Sequence, residues 1–190
     1  MEINRLLKLT GLGAIIVILA IFGVMGFVMY DVMSYTATDS QNLSPTVPEV
    51  GKALVVYDPG ISGQGKDAAE VISKDLQEKG YFVTLAGISS EKAKNTAGYN
   101  IIVVGGPIYA GNASKSVQSY LSTLKPDNGA KIAVFAVGED ADVLNNPEML
   151  KKEVATLPKG SSLQIVAVTK FIQNEDFNKK SEGFINSILN

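Results

Sequence analysis

The sequence predicts an α/β domain, doubly wound around a five-stranded parallel sheet in the order 2-1-3-4-5, with one transmembrane helix ahead of it. Three observations carry this reading. Short continuous apolar runs recur along residues 51–190, each suited to a strand covered on both faces. Helical patterns with one apolar face alternate with them, as crossovers between parallel strands require. Residues 9–30, LTGLGAIIVILAIFGVMGFVMY, form one uncharged run.

Residues 1–8 make a short basic tail, with Arg5 and Lys8 against Glu2. At about 1.5 Å per residue a helix over 9–30 reaches roughly 33 Å, enough to cross a hydrocarbon core of about 30 Å. The run lacks the polar face of a helix packed on a soluble core, and Tyr30 stands at one end as an interfacial aromatic. A cleaved signal peptide is the competing reading, but its apolar region is shorter and its small-residue cleavage site lies closer than Thr36-Ala37-Thr38 does here. Only acidic residues follow the run closely, so the basic tail places the N-terminus in the cytoplasm and the domain outside it. Residues 31–50, with Pro45 and Pro48, read as a polar linker to a domain over 51–190.

Within that domain, Ala53–Tyr57 is the first strand, followed by a helix over 64–79 with Ala68, Ala69, Val71, Ile72 and Leu76 at helical spacing and Gly80 as its stop. Tyr81–Leu85 and Ile101–Val104 are the second and third strands. A helix over 114–124 presents Val117, Tyr120, Leu121 and Leu124 on one face. Lys131–Val137 is the fourth strand, a helix starts at Pro147, Leu163–Val168 is the fifth strand, and an amphipathic helix over 175–189 ends the chain.

Composition narrows the chemistry. With 17 basic against 19 acidic residues, no basic surplus marks a nucleic-acid-binding face. With no Cys and no His, the sequence offers no thiolate nucleophile, no Cys/His metal site and no Ser-His-Asp triad.

Ligands of doubly wound sheets bind beside the carboxyl ends of the strands, where strand order switches. Three loops lie there. Asp58-Pro-Gly-Ile-Ser-Gly-Gln-Gly65 runs into a helix, so the backbone of Gly60, Ile61, Ser62, Gly63, Gln64 and Gly65 and the Ser62 hydroxyl suit a phosphate. It is not a Walker loop, because Asp67 stands where Ser or Thr is needed. Gly105, Gly106, Pro107, Ile108, Tyr109, Ala110 and Gly111 make the second loop, with Tyr109 placed to stack on a flat ring. The third, Gly138-Glu-Asp-Ala-Asp142, offers the amides of Gly138 and Glu139 to a ring carbonyl, amid three carboxylates.

These segments resemble flavodoxins. ALVVYDPGISGQGKDAAEVISKDLQEKGYFVTLAG is similar to the family's opening, with Ser62-Gly63-Gln64-Gly65 on the T-G-N-T position. IIVVGGPIYAG resembles its second loop, where an aromatic stacks on the isoalloxazine ring of FMN, and VFAVGEDAD resembles its third. The departures are one hydroxyl in the first loop, Gly65 in place of the last Thr or Ser, Asp58-Pro59-Gly60 ahead of it, and no Trp for the second face of the ring.

The resemblance implies a flavodoxin-like FMN-binding domain. Its expected role is electron transfer with a membrane-associated partner, either a redox protein or a quinone, and no side chain need act as acid or base. Two alternatives are a quinone-linked flavin oxidoreductase and a cofactor-free binding or structural module. A signalling receiver shares the fold, and Asp58 with Thr169-Lys170 after strand five suits it, but Gly105 follows strand three where the phospho-accepting Asp belongs.

Overall fold

A computed structural model of the chain describes Gly13 and residues 15–26, 37–139, 142–155, 157, 161–173 and 175–190. The chain divides into two units, Met1–Tyr35 and Thr36–Asn190. In the first, residues 15–26 are helical, and large apolar side chains such as Leu19 and Phe22 are about two-thirds exposed, at 65% and 67%. Among the described residues no helix is long and apolar enough to cross a membrane. The remainder of the expected span, the basic tail and residues 31–36 lie outside the described residues.

The second unit contains β1 (Ser40–Leu43), β2 (Gly51–Tyr57), α1 (Gln64–Glu78), β3 (Tyr81–Gly87), α2 (Glu91–Lys94), β4 (Ile101–Tyr109), β5 (Asn112–Ala113), α3 (Lys115–Thr123), β6 (Lys131–Gly138), α4 (Pro147–Val154), β7 (Ile165–Ile172) and α5 (Phe177–Leu189), with a 3-10 turn at Asp142–Asn145. The strands β3-β2-β4-β6-β7 lie side by side and pair in parallel. In order of appearance these are strands 2-1-3-4-5, the doubly wound arrangement.

Why these strands are continuous apolar runs follows from their two covered faces. Ala53, Val55 and Tyr57 alternate with Leu54 and Val56. The first set packs with Ile72 and Leu76 of α1 and Phe184, Ile185 and Ile188 of α5. The second packs with Val117 and Leu121 of α3 and Val154 of α4. On the α1/α5 face, the buried Phe135 and Phe171 rings meet edge-to-face at 6.1 Å. Local signals set the helix starts: Asn146 accepts Met149 N–H at 3.1 Å, and Asp176 accepts Asn178 N–H at 3.0 Å.

Three expectations need correcting. The sheet has seven strands rather than five. Residues 40–43, read as part of a polar linker, form β1, antiparallel to β3 with Ser40 opposite Ala86 and Leu43 opposite Val83. Backbone pairing makes this strand, and its polar side chains suit an exposed edge. The chain therefore enters the second unit at the carboxyl end of β3, where Gly87 N–H donates to Asp39 O at 2.8 Å and Ser89 N–H to Ala37 O at 2.9 Å. Asp39 is tied further by the Tyr57 hydroxyl at 2.7 Å, which holds its carboxyl below the ordinary range.

The second correction concerns β4, which continues past Val104 because its parallel pairing with β6 persists to Pro107 opposite Val137. The third concerns Thr169 and Lys170, which lie inside β7 rather than after it, opposite Phe135 and Ala136.

Candidate functional site

The three loops converge on one cleft of about 450 Å³, within the range of roughly 300–1,000 Å³ usual for small-molecule sites. Of the residues singled out from sequence, Ile61, Ser62, Gln64, Gly65, Pro107, Ile108, Tyr109, Gly111, Gly138 and Glu139 line it. Val137, Glu153, Lys170 and Gln173 complete the wall.

Loop one is shaped by left-handed glycines. Gly60 and Gly63 have φ of 65° and 77°. Gly63 is the N-cap of α1 and no side chain caps that end. The Gly65, Lys66 and Asp67 amides turn back onto Pro59 O and Gly63 O. Among the described residues the Ser62 and Gly63 amides have no intramolecular partner, while Ile61 N–H donates to the Tyr109 hydroxyl at 3.4 Å. Two free amides at the start of a 15-residue helix form an anion cradle that needs no cationic side chain.

The Asp58 carboxylate, which by sequence crowds this cradle, points elsewhere. It is buried, at 4% exposure. Its Oδ1 accepts Gly60 N–H at 3.0 Å, and its Oδ2 accepts the Ser114 hydroxyl at 2.7 Å and the Ser116 hydroxyl. Asp58 thus organises loop one and fastens it to the start of α3, instead of opposing an anion.

The second loop is a tight hairpin. Tyr109 pairs with Asn112 and Ile108 with Ala113, leaving Ala110 and Gly111 as a two-residue turn with φ of 50° and 74°. Positive φ at both positions is the type I′ geometry that suits paired strands. Tyr109 stands at the cleft rim, half exposed, with its hydroxyl on loop one. Burial lifts its phenol above the ordinary value of 10.0, and the nearby Asp58 carboxylate acts in the same direction.

Five sequence candidates are absent from the cleft lining. Gly60 packs on Pro107, whose Cγ lies 3.0 Å from where a Cβ would stand, and Gly63 caps α1. A Cβ at Gly105 would sit 2.3 Å from the Phe135 ring, and one at Gly106 would sit 2.7 Å from Asp58 Cβ. Ala110 occupies the hairpin turn. These five set the backbone that shapes the cleft.

In the third loop, Gly138 and Glu139 reach the cleft, and Asp140 and Ala141 lie outside the described residues. Behind Gly138 lies what the sequence reading missed. Lys170, 1% exposed at its side chain, donates to Glu153 Oε1 at 2.8 Å, with Glu153 10% exposed. Nothing in the local pattern joins a β7 lysine to an α4 glutamate. The one signal is Lys170 itself, which the sequence singles out only as a receiver-like residue after strand five, whereas the structure places it inside β7.

With this geometry established, comparison with known proteins places the chain. Among solved structures it is similar to oxidised Flavodoxin 2 from Bacillus cereus, at 19% identity over 73% of this chain and 97% of that one, with a TM-score of 0.49. It is also similar to the metal-soaked Flv1 flavodiiron core from Synechocystis sp. PCC6803, at 18% identity over 72% of this chain and 34% of that one, with a TM-score of 0.46. No curated protein matches. The family described as Flavodoxin domain matches residues 55–178, the span from β2 to the start of α5 that holds all three loops, and the chain belongs to that family.

Proposed function

We propose that the second unit binds FMN in this cleft and serves as an electron carrier. The observation that carries the reading is the convergence on one cleft of loop one at a helix start, with the unpartnered Ser62 amide, an aromatic side chain and the Gly138–Glu139 backbone. The family implies flavin binding, with FMN its usual form. Ser62 and Gly63 would hold the phosphate by amide donors and helix dipole, Tyr109 would flank the ring, and Gly138 and Glu139 would address its polar edge. FMN, when bound, supplies the redox chemistry, and the protein supplies orientation and electrostatics.

We further propose a membrane tether and a membrane-associated redox partner, a protein or a quinone, with the domain on the extracytoplasmic side. The uncharged run 9–30 and the Arg5/Lys8 asymmetry support this. A quinone-linked oxidoreductase would use the same site.

The test is a titration of FMN fluorescence with the full chain in detergent micelles. Saturable quenching at micromolar concentrations or below, weakened by Tyr109→Ala, is expected. Absence of quenching by folded protein would overturn the flavin reading in favour of a cofactor-free module. One observation favours that second reading: the Tyr109 hydroxyl takes the Ile61 N–H, one of the loop-one donors.

A further inference from the structure

A charged wall closes the cleft opposite loop one. Lys170 rises from the carboxyl half of β7 and Glu153 from the last turn of α4, and both line the cleft although both are nearly buried. Gly138 leaves room for the lysine, since a Cβ there would lie 3.0 Å from Lys170 Cε. Taking two charges out of water costs several kcal/mol per ion, and an ion pair repays this only where its remaining hydrogen-bonding capacity is also used. Here that capacity is not used within the protein. An ammonium has three donors and a carboxylate has two acceptor oxygens. The bond between Lys170 Nζ and Glu153 Oε1 uses one of each, and among the described residues neither Lys170 Nζ nor Glu153 Oε2 has another partner. A donor and an acceptor are thus held side by side on the wall of a cleft.

We infer that Lys170 and Glu153 read an imide-type edge of the ligand, a ring carbonyl adjacent to a ring N–H. Lys170 donates to the carbonyl and Glu153 Oε2 accepts from the N–H. The pyrimidine side of a flavin presents this pattern, so the inference rests on the flavin reading above and assigns these residues as its specificity determinants. The Gly138 backbone lies directly against Lys170, so the third loop and the ion pair act on the same side of the cleft. A site built to hydrogen-bond a particular N–H rejects an analogue lacking it far more strongly than an apolar pocket does, because its own buried groups are then left unpaired.

The experiment compares FMN with FMN methylated at ring N3, each titrated into the full chain in detergent micelles. The wild type is expected to prefer FMN by at least about tenfold. In the double variant Lys170→Met/Glu153→Leu, which fills the same space without buried charge, the preference should fall to within about twofold of unity. Thermal unfolding without ligand establishes that the variant is folded. If it is not, Lys170→Ala/Glu153→Ala, which also removes both the donor and the acceptor, replaces it, with the same loss of preference expected. An ion pair that merely braces α4 against β7 would change the unfolding temperature and leave the preference intact, and that result would overturn the inference. Equal affinity of the wild type for both ligands would also overturn it, with the flavin reading still standing. If the wild type binds neither ligand, both readings fall together.

Discussion

Replacing Asp58 should loosen two of the three loops at once, and the structure sets the size of the effect. The carboxylate accepts one amide and two hydroxyl donors at a site 4% exposed. A hydrogen bond to a charged group contributes about 1.5–3 kcal/mol, and a buried donor left unpaired costs about 1–3 kcal/mol. The donors are not all stranded in Asp58→Ala. Ser114 Oγ and Ser116 Oγ are 2.8 Å apart and can pair with each other, which leaves Gly60 N–H as the main orphan. The expected loss is therefore about 3–4 kcal/mol rather than the full sum of three bonds. Asp58→Asn keeps an oxygen for Gly60 and presents an amide to hydroxyls that can accept as well as donate, so about 1–2 kcal/mol should go. Urea unfolding at neutral pH reads both values, and FMN titration should show a weaker site in the Ala variant, whose loop-one amides are no longer positioned. If Asp58→Ala stays within about 0.5 kcal/mol of wild type, the carboxylate is not the organiser of these loops, and if Asn does as much damage as Ala, the partial retention of its hydrogen bonds is refuted.

Four further outcomes are expected. Gly105→Ala places a Cβ 2.3 Å from the buried Phe135 ring, and the overpacking should cost about 1–3 kcal/mol in urea unfolding. Burial holds the Asp75 carboxyl above its ordinary value of 3.8, with Glu78 and Glu182 adding to the shift and Ser181 opposing it. A raised folded-state pKa means that the favourable contribution is present while the group is protonated in both states and is lost as pH rises through the folded value. Asp75→Asn should therefore stabilise at about pH 7 and make little difference near pH 3, as paired unfolding curves would show. A chain beginning at Gly51 lacks β1 and the Asp39 contacts. It should melt roughly 5 °C or more below one beginning at Thr36, and should associate through the uncovered β3 edge. Finally, the loop-one cradle consists of amides, and the nearby Lys66 is engaged by Asp39 at 3.2 Å. FMN affinity should then change less than about threefold between roughly 50 and 500 mM salt, whereas a lysine-built phosphate site would weaken further.

The parallel core was legible because each of its strands is covered twice. A strand such as Ala53–Tyr57 has no face to leave polar, so its signal is a plain apolar run. β1 carries no such signal. Its residues, SQNL, are exposed or nearly so, and what makes them a strand is the vacant edge of β3, distant in sequence. α2 has four residues, too few for any period to show. β7 extends to Ile172, past the apolar run Leu163–Val168, through Thr169 and Lys170, and a buried lysine is legible only once its Glu153 partner is known.

The loops divide on the same physical ground. Glycine marks places where backbone must turn or approach closely, and sequence alone does not say what it approaches. In loop one the approach leaves amides open, at Ser62 and Gly63. In β4 it is the Phe135 ring and Asp58 that come close, so Gly105 and Gly106 belong to the packing beneath the cleft. A motif that resembles a flavin loop therefore specifies two things at once, a surface that meets ligand and a foundation that holds this surface in place. The two are separable by experiment. Substitution in the foundation should lower stability first and affinity as a consequence, whereas Tyr109→Ala, at a half-exposed rim, should lower affinity with little change in unfolding.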